Sequence, residues 1–118
     1  MNLGVGIDTI AICRIKQAYQ RHGQRFLNRF LSSKEQKIAS SMQSIAGFWA
    51  AKEAFAKAIG TGIGKELGFL DIEITKTQKN APLINLCKKK KDFFPFSHFA
   101  LSITHDHDFS IAVVIAYY

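Results

Sequence analysis

Cysteine and proline are scarce in this sequence, with two of each in 118 residues. Cys13 and Cys87 belong to no CxxC pair and to no zinc-ligand spacing, which argues against a zinc module and against a disulfide-rich secreted domain. Repeats, linkers and low-complexity segments are also missing. A chain of this length therefore predicts a single domain spanning residues 1–118.

Long apolar runs are missing as well. The longest, SIAVVIAYY at the C-terminus, has about half of the ~20 apolar residues that a membrane helix needs. The apolar stretch at the N-terminus follows no basic segment and contains Asp8, unlike a signal peptide. We therefore expect a cytoplasmic protein with no membrane partner.

Acidic residues are few, since 16 basic residues outnumber 9 acidic ones and give a formal charge of +7. Apolar residues make up 47% and charged residues 21%, a balance typical of globular rather than disordered chains. The excess positive charge predicts an anionic partner: a nucleic acid, an anionic lipid, a phosphorylated cofactor or an acidic protein. Charge alone does not choose among them.

Hydrophobic periodicity predicts an α+β fold in which an antiparallel sheet packs against helices. A capping box from Ser32 to Glu35 and stops at Gly23 and Gly60 mark helix boundaries. The expected helices cover residues 10–22, 25–31, a segment after the capping box and 44–59. The expected strands cover residues 3–8, 69–75, 82–87, 98–104 and 109–118.

Two carboxylates stand at unusual places in this pattern. Asp8 ends the first apolar strand, where it would either cap the following helix or serve a site. Glu53 borders the apolar stripe of the 44–59 helix, one turn before Lys57, and Lys52 projects into the middle of that stripe. Glu53 would therefore either pair with Lys57 or join Asp8 as a second oxygen ligand of Mg²⁺, which binds proteins through one or two carboxylates.

Three other clusters have simpler interpretations when taken alone. The glycine-rich segment 60–64 follows its helix, so it predicts a helix end and turn rather than a P-loop. His105 to Asp108 lies where a hairpin connection is expected, and a metal site there is disfavoured. Arg14 and Arg21 lie seven residues apart on one face of the first helix, as solubility charge or as a dock for an acidic partner.

In this order, the segments GIDTIAICRI, RFLSSKE, FWAAKEAFAKAIGTGIG, FLDIEI and LSITH resemble those of the holo-[acyl-carrier-protein] synthases, the small-type 4′-phosphopantetheinyl transferases of bacterial fatty acid synthesis. The resemblance extends from residue 4 to about residue 114. It implies transfer of 4′-phosphopantetheine from coenzyme A to a serine of apo acyl carrier protein, with Mg²⁺ required and adenosine 3′,5′-bisphosphate released.

The resemblance also assigns residues in the reaction site. Asp8 and Glu53 match the family's Mg²⁺ ligands and catalytic carboxylates. Lys57 matches the catalytic lysine that faces the coenzyme A phosphates. The serine proton would go to a water or to Glu53, and the sequence leaves these alternatives open. The positions implied for coenzyme A binding are Lys57, Gly60, Thr61, Gly62, Thr104 and His105.

The resemblance further implies a homotrimer with a β-rich interface, in which Thr104 and His105 complete the site of a neighbouring subunit. Arg14 and Arg21 match basic residues that bind the acidic carrier protein. Phe48 departs from the pattern, because many members have arginine there. A basic nucleic-acid-binding domain is the competing hypothesis, but Asp8 and Glu53 would repel a phosphate backbone in the absence of a metal, so we expect no nucleic-acid partner.

Overall fold

The computed structural model describes residues 3–118 and confirms the α+β prediction. A long strand is followed by four helices, and four further strands complete the chain. The elements are β1 (Leu3–Ala11), α1 (Ile12–His22), α2 (Gln24–Phe30), α3 (Ser33–Ile38), α4 (Met42–Ile59), β2 (Ile72–Lys76), β3 (Pro82–Leu86), β4 (His98–His105) and β5 (Phe109–Tyr117), with 3₁₀ turns at Phe69–Asp71 and Lys88–Lys90.

Five strands form two antiparallel sheets in this part of the chain. One has the order β1-β5-β4, and the other is the β2-β3 hairpin. Asp8 of β1 lies opposite Ala112 of β5, which in turn lies opposite Ile103 of β4. This register places Asp8 and Ile103 on the same face of the larger sheet, the face that packs against α4.

The predicted helix ends are confirmed. Gly23 and Gly60 end α1 and α4 with positive φ angles of 57° and 103°, a conformation that glycine adopts without strain. The Ser32 hydroxyl accepts from the Glu35 amide, and the Glu35 carboxylate accepts from the Ser32 amide, which completes the capping box.

Two predicted boundaries were wrong. The first strand continues past Asp8 to Ala11, because pairing with β5 persists to the Ala11–Phe109 pair, so the helix starts at Ile12. The segment 69–75 begins as a 3₁₀ turn, because the Asp71 carboxylate accepts from the Gly68 amide at 2.8 Å and closes a turn before the strand.

Helix α4 lies directly on β1 because two glycines allow the close approach. A Cβ on Gly6 would collide with the Ala54 carbonyl oxygen, and a Cβ on Gly4 would collide with that of Ala58. Ala54 and Ala58 are themselves buried. Small residues on both elements therefore bring the helix backbone against the strand and fix the distance between Asp8 and α4.

Replacing Gly6 by alanine should destabilise the protein by about 1–3 kcal/mol, the usual cost of overpacking a core contact. The colliding atom is a backbone oxygen, so strand and helix must separate rather than a side chain rotate. Urea denaturation would measure the loss. Gly64→Ala is the matched control, because a Cβ there meets nothing within 4 Å; equal stability losses would contradict the packing argument.

The two faces of β5 differ in burial. Ala112, Val114 and Ala116 are buried toward α4. Within one chain only this face is covered. The opposite face of the larger sheet leaves apolar side chains partly exposed, including Val5 (60%) and Ile7 (61%) on β1 and Phe109, Ile111, Ile115 and Tyr117 on β5.

Among residues 3–118, no helix combines the length and the hydropathy needed to cross a bilayer.

Candidate active site

Three predicted site residues meet where β1 passes under the second half of α4. Lys57 donates from Nζ to Asp8 Oδ1 and to the Ile7 carbonyl, each at 3.0 Å. The Asp8 side chain is 18% exposed and that of Lys57 51% exposed. Glu53, one turn before Lys57 on α4, is half-buried and close enough to Asp8 for the two charges to interact.

The simpler interpretations of these residues are wrong. Asp8 does not cap α1, because the N-cap is Ala11 and no side chain caps that end. The ion pair of Lys57 is formed with Asp8 rather than with Glu53, since the strand brings the Asp8 carboxylate to the ammonium group. Two carboxylates and one ammonium thus form one partly exposed cluster.

The electrostatics of this cluster suit a divalent cation. Burial raises the pKa of Glu53 and the Asp8 carboxylate raises it further, while Lys57 opposes both effects. Negative charge therefore exceeds positive charge locally. Among residues 3–118 no group of three or more His, Cys, Asp or Glu side chains could hold a metal, but Mg²⁺ needs only one or two carboxylates when waters and substrate phosphates complete its shell. Asp8 and Glu53 fit that requirement.

The glycine-rich loop continues from the C-terminus of α4, beside Lys57. Gly60 and Gly62 both have positive φ, 103° and 67°. The Gly62 amide donates to the Ala56 carbonyl at 3.1 Å, and the Thr61 hydroxyl donates to the Gly62 carbonyl at 2.8 Å. The turn predicted from the sequence is confirmed, and it begins three residues after Lys57.

Thr104 and His105 do not join this cluster within one chain. Helix α4 crosses the sheet diagonally, with Gly47 over Ile103 of β4 and Ala54 over Gly6 of β1. His105 shares a small cavity with Gln43 and Ser44, at the start of α4. Glu53 lies nine residues further along the helix, about 14 Å at 1.5 Å per residue.

Thr104 is separated from Asp8 in a second way. It pairs with Ile111 and shares the exposed sheet face with it, whereas Asp8 lies on the face packed against α4. The structure therefore divides the predicted residues into two groups: Asp8, Glu53, Lys57 and the glycine loop on one side, and Thr104 with His105 on the other.

The cavity beside His105 has a volume of about 160 Å³. Phe48 is 2% exposed and lines this cavity, so this position contributes an apolar wall and no charge. The following residues form a hairpin turn, since Asp106 Oδ1 accepts from the Asp108 and Phe109 amides at 2.8 Å. These backbone hydrogen bonds lower the pKa of Asp106, and the hairpin interpretation of this segment is supported.

Arg14 and Arg21 are exposed on α1 and line one shallow cavity of about 180 Å³ together with Gln17, Ala18 and His22. The predicted shared face is confirmed. A larger cavity, about 820 Å³, lies elsewhere, between the β2-β3 hairpin, the start of β4 and the end of β5. None of the predicted site residues lines this cavity.

Two features of this region were missed by sequence reasoning. Gly4 and Gly6 alternate along β1 on the face that meets α4, and their spacing before Asp8 was a usable signal of close packing. Lys52 was recognised in the apolar stripe, but its partner Glu35 was assigned only to a helix cap. The two form a buried ion pair at 2.8 Å.

Comparison with known proteins identifies the family. A model of the 4′-phosphopantetheinyl transferase superfamily matches residues 4–114. The chain belongs to this superfamily. It is 54% identical over 110 residues to a holo-[acyl-carrier-protein] synthase of Wolinella succinogenes, covering 93% of each chain. A Helicobacter pylori protein of the same name is 51% identical over 112 residues, with 94% of each chain covered.

Solved structures agree with this assignment to the transferase superfamily. The crystal structure of Helicobacter pylori holo-[acyl-carrier-protein] synthase in complex with coenzyme A superposes with a TM-score of 0.92 at 50% identity, covering 95% of this chain and 98% of that one. The Neisseria meningitidis enzyme gives a TM-score of 0.88 at 30% identity, with 98% of each chain covered. The chain is therefore an enzyme of the holo-[acyl-carrier-protein] synthase type.

Replacing Glu53 by glutamine should stabilise the metal-free protein at neutral pH. The folded-state pKa of Glu53 is raised, so protonation favours the folded state. The stability that this shift contributes is fully present below the unfolded-state pKa of about 4.3 and is lost as pH rises through the folded-state value. Urea titrations in a chelator should show a higher midpoint for Glu53→Gln at pH 7 and no difference near pH 3.

The same titrations repeated with Mg²⁺ supply a control. Magnesium should raise the midpoint of the wild-type protein more than that of Glu53→Gln, because a ligand stabilises the state that binds it. A variant less stable than wild type at pH 7 in chelator would contradict the electrostatic account of Glu53.

Proposed function

We propose that this enzyme transfers the 4′-phosphopantetheine group from coenzyme A to a serine hydroxyl of apo acyl carrier protein, in a Mg²⁺-dependent reaction of cytoplasmic fatty acid biosynthesis. The serine oxygen forms a bond to the phosphorus that bears pantetheine. The bond from that phosphorus to the bridging oxygen breaks, and adenosine 3′,5′-bisphosphate leaves. The observation that carries this proposal is the meeting of Asp8, Glu53 and Lys57 in one cluster of a chain from this superfamily.

The three side chains of this cluster have distinct roles in the proposal. Asp8 and Glu53 hold Mg²⁺, which when bound supplies positive charge to offset the negative charge of the diphosphate and of the leaving oxygen. Lys57 is half-exposed and adds a second positive group facing the phosphates. Glu53 or a water takes the serine proton.

The glycine loop and the Thr104–His105 segment bind coenzyme A in this proposal. Gly60, Thr61 and Gly62 directly follow the helix that carries Lys57, so the loop lies beside the expected phosphate position. Thr104 lies on the exposed sheet face, and His105 lies beside the start of α4, nine or more residues along the helix from Glu53. They are therefore available to a neighbouring chain.

A direct test mixes the purified protein with apo acyl carrier protein, coenzyme A and Mg²⁺ and weighs the carrier protein by mass spectrometry. The carrier should gain the mass of one phosphopantetheine group, and an equal amount of adenosine 3′,5′-bisphosphate should appear. A chelator should stop the gain, and added Mg²⁺ should restore it. If the carrier mass stays unchanged with Mg²⁺ present, the proposed transfer is wrong.

We also propose that the sheet face carrying Val5 and Ile7 is the centre of a homotrimer. Exposed branched and aromatic side chains on adjacent strands form a continuous apolar surface, which is typical of an interface between subunits. In the proposed trimer, Thr104 and His105 of one chain complete the reaction site of a neighbouring chain. This agrees with the separation of the two groups of site residues within one chain.

The carrier protein is expected to bind at the basic face of α1. Arg14 and Arg21 are exposed together there, and α1 follows directly from the strand that carries Asp8. This basic surface is close in sequence to Asp8, so it suits an acidic partner whose serine must reach the cluster of Asp8, Glu53 and Lys57. We propose that both arginines bind the carrier protein.

Reversing the charge of Arg14 to glutamate should raise the KM for the carrier protein at least about tenfold, since like charges then face each other. The KM for coenzyme A should change little. The effect should shrink as salt rises, because exposed charges are screened beyond about 8 Å at physiological ionic strength. Steady-state kinetics with each substrate varied in turn would measure both constants.

Lys89→Glu is the matched control for Arg14→Glu, because it makes the same charge change at an exposed lysine of the 88–91 run. It should leave the KM for the carrier protein close to the wild-type value. If both reversals raise that KM equally, net charge rather than a docking surface at Arg14 explains the effect.

A further inference from the structure

The ion pair between Lys52 of α4 and Glu35 of α3 is a second ionic group, and the proposed chemistry does not use it. The Lys52 side chain is fully buried and that of Glu35 is 3% exposed. Lys52 Nζ donates to Glu35 Oε1 at 2.8 Å, to the Phe30 carbonyl at 2.7 Å and to the Phe69 carbonyl at 3.1 Å. Three donors thus meet three acceptors, which is the full capacity of an ammonium group.

Glu35 extends the connection to two further backbone groups. Its Oε1 accepts from the Ser32 amide, and its Oε2 accepts from the Ile74 amide at 2.8 Å. The pair therefore joins α4 to the end of α2, the start of α3, the 3₁₀ turn after the glycine loop and strand β2. Within residues 3–118 no buried side-chain nitrogen or oxygen lacks a partner, so this group is complete.

The position of Lys52 on α4 gives the group a consequence for catalysis. Successive residues of a helix are about 100° apart, so Lys52 lies roughly opposite Ala54 and Ala58, the residues that rest on Gly6 and Gly4. Glu53 and Lys57 project from the side between these two contacts. The helix is held at Lys52 and at the β1 contact, and both contacts oppose rotation about its axis.

Burying an ammonium group costs free energy unless the group is paired. Burial lowers the pKa of Lys52, and the Glu35 carboxylate opposes that change. A buried apolar residue would serve packing alone at less cost. An ionic group with fixed donor and acceptor directions instead specifies one helix orientation, and a metal site made of two carboxylates tolerates only small displacements. The five contacts of the pair therefore restrain the element that aims Glu53 at Asp8.

We propose that Lys52 and Glu35 are positioning residues of the transferase reaction, which fix the rotation of α4 and thereby align Glu53 and Lys57 with Asp8 and the phosphates. This inference rests on the proposed function. Neither residue touches substrate. Their effect passes through the helix to the two side chains that do, and it should be visible in molecules that are fully folded.

The test uses the double variant Lys52→Met with Glu35→Gln. It removes both charges together, and the glutamine oxygen can still accept a backbone amide, so no unpaired charge is left buried. In the folded variant, kcat should fall at least tenfold, and the Kd of coenzyme A measured by calorimetry with Mg²⁺ should rise severalfold. The single variant Lys52→Met, which leaves Glu35 unpaired, should lose more stability.

Ile84→Ala serves as the control for lost stability. Ile84 is buried in β3 and makes no hydrogen bond to the pair through its side chain, so its cavity should lower the urea midpoint alone. Its kcat and its Kd for coenzyme A should match wild type at temperatures where it is folded. If the folded double variant also keeps both wild-type constants, the pair is only structural and the positioning proposal is overturned. A wild-type protein without transferase activity would instead refute the proposed function itself.

Discussion

Replacing Asp8 or Glu53 by alanine is expected to lower kcat by about 100-fold or more at millimolar Mg²⁺, which corresponds to about 3 kcal/mol of lost transition-state stabilisation. Each change removes one of two carboxylates from a site that offers few protein ligands. The loss should appear in the rate of phosphopantetheine transfer measured by carrier-protein mass.

The fold should survive both changes. The Asp8–Lys57 pair is partly exposed, and such pairs contribute about 0–1 kcal/mol to stability. Circular dichroism should therefore remain near wild type for both variants, and neither change should lower stability by more than about 1 kcal/mol. Lys57→Ala should lose less activity than either carboxylate variant, because the metal still offsets part of the phosphate charge.

Glu73→Gln is the matched control, since it neutralises an exposed carboxylate on β2 away from the cluster. It should keep near wild-type activity. Near wild-type turnover in Asp8→Ala or in Glu53→Ala would show that the residue concerned is not a metal ligand.

Mixing two inactive variants, Glu53→Ala and His105→Ala, is expected to restore transferase activity. Chains with Glu53→Ala keep His105, and chains with His105→Ala keep Asp8 and Glu53. If a site takes its carboxylates from one chain and His105 from the next, a mixed trimer contains at least one interface with all residues intact. Activity should rise from near zero to a measurable fraction of wild type after subunit exchange.

The control mixture combines Glu53→Ala chains with Asp8→Ala chains. Asp8 and Glu53 belong to the same cluster within one chain. Every site in this mixture therefore lacks one of the two carboxylates, and no activity should return. Light scattering should show an assembled species in every mixture. An active monomer, or no rescue despite demonstrated exchange and a demonstrated His105 defect, would refute the shared site.

The sequence by itself determined most of the secondary structure, because the signals were local. Gly23, Gly60 and the Ser32–Glu35 capping box mark helix ends through backbone conformation and short-range hydrogen bonds. Alternating and continuous apolar runs predicted the five strands. The errors fell at boundaries such as Phe69–Asp71, where a hydrogen bond from the Gly68 amide to Asp71 competes with strand pairing.

The residues of the candidate site were also named from the sequence, through the resemblance of ordered motifs to a known family. Their arrangement was not. Asp8 and Lys57 are 49 residues apart, and only the packing of α4 on Gly4 and Gly6 brings them to 3.0 Å. A Glu53–Lys57 pair was one of two alternatives that the sequence left open, because residues four apart on a helix are neighbours. That local rule does not include a carboxylate contributed by a distant strand.

Tertiary structure alone decided two further points. It joined Lys52 to Glu35 across 17 residues, where the sequence showed only a lysine in an apolar stripe and a helix cap. It also separated Thr104 and His105 from the carboxylate cluster by placing α4 diagonally over the sheet. The packing of whole elements decides which distant segments form ion pairs and in which direction a helix crosses a sheet. Local sequence patterns do not specify that packing.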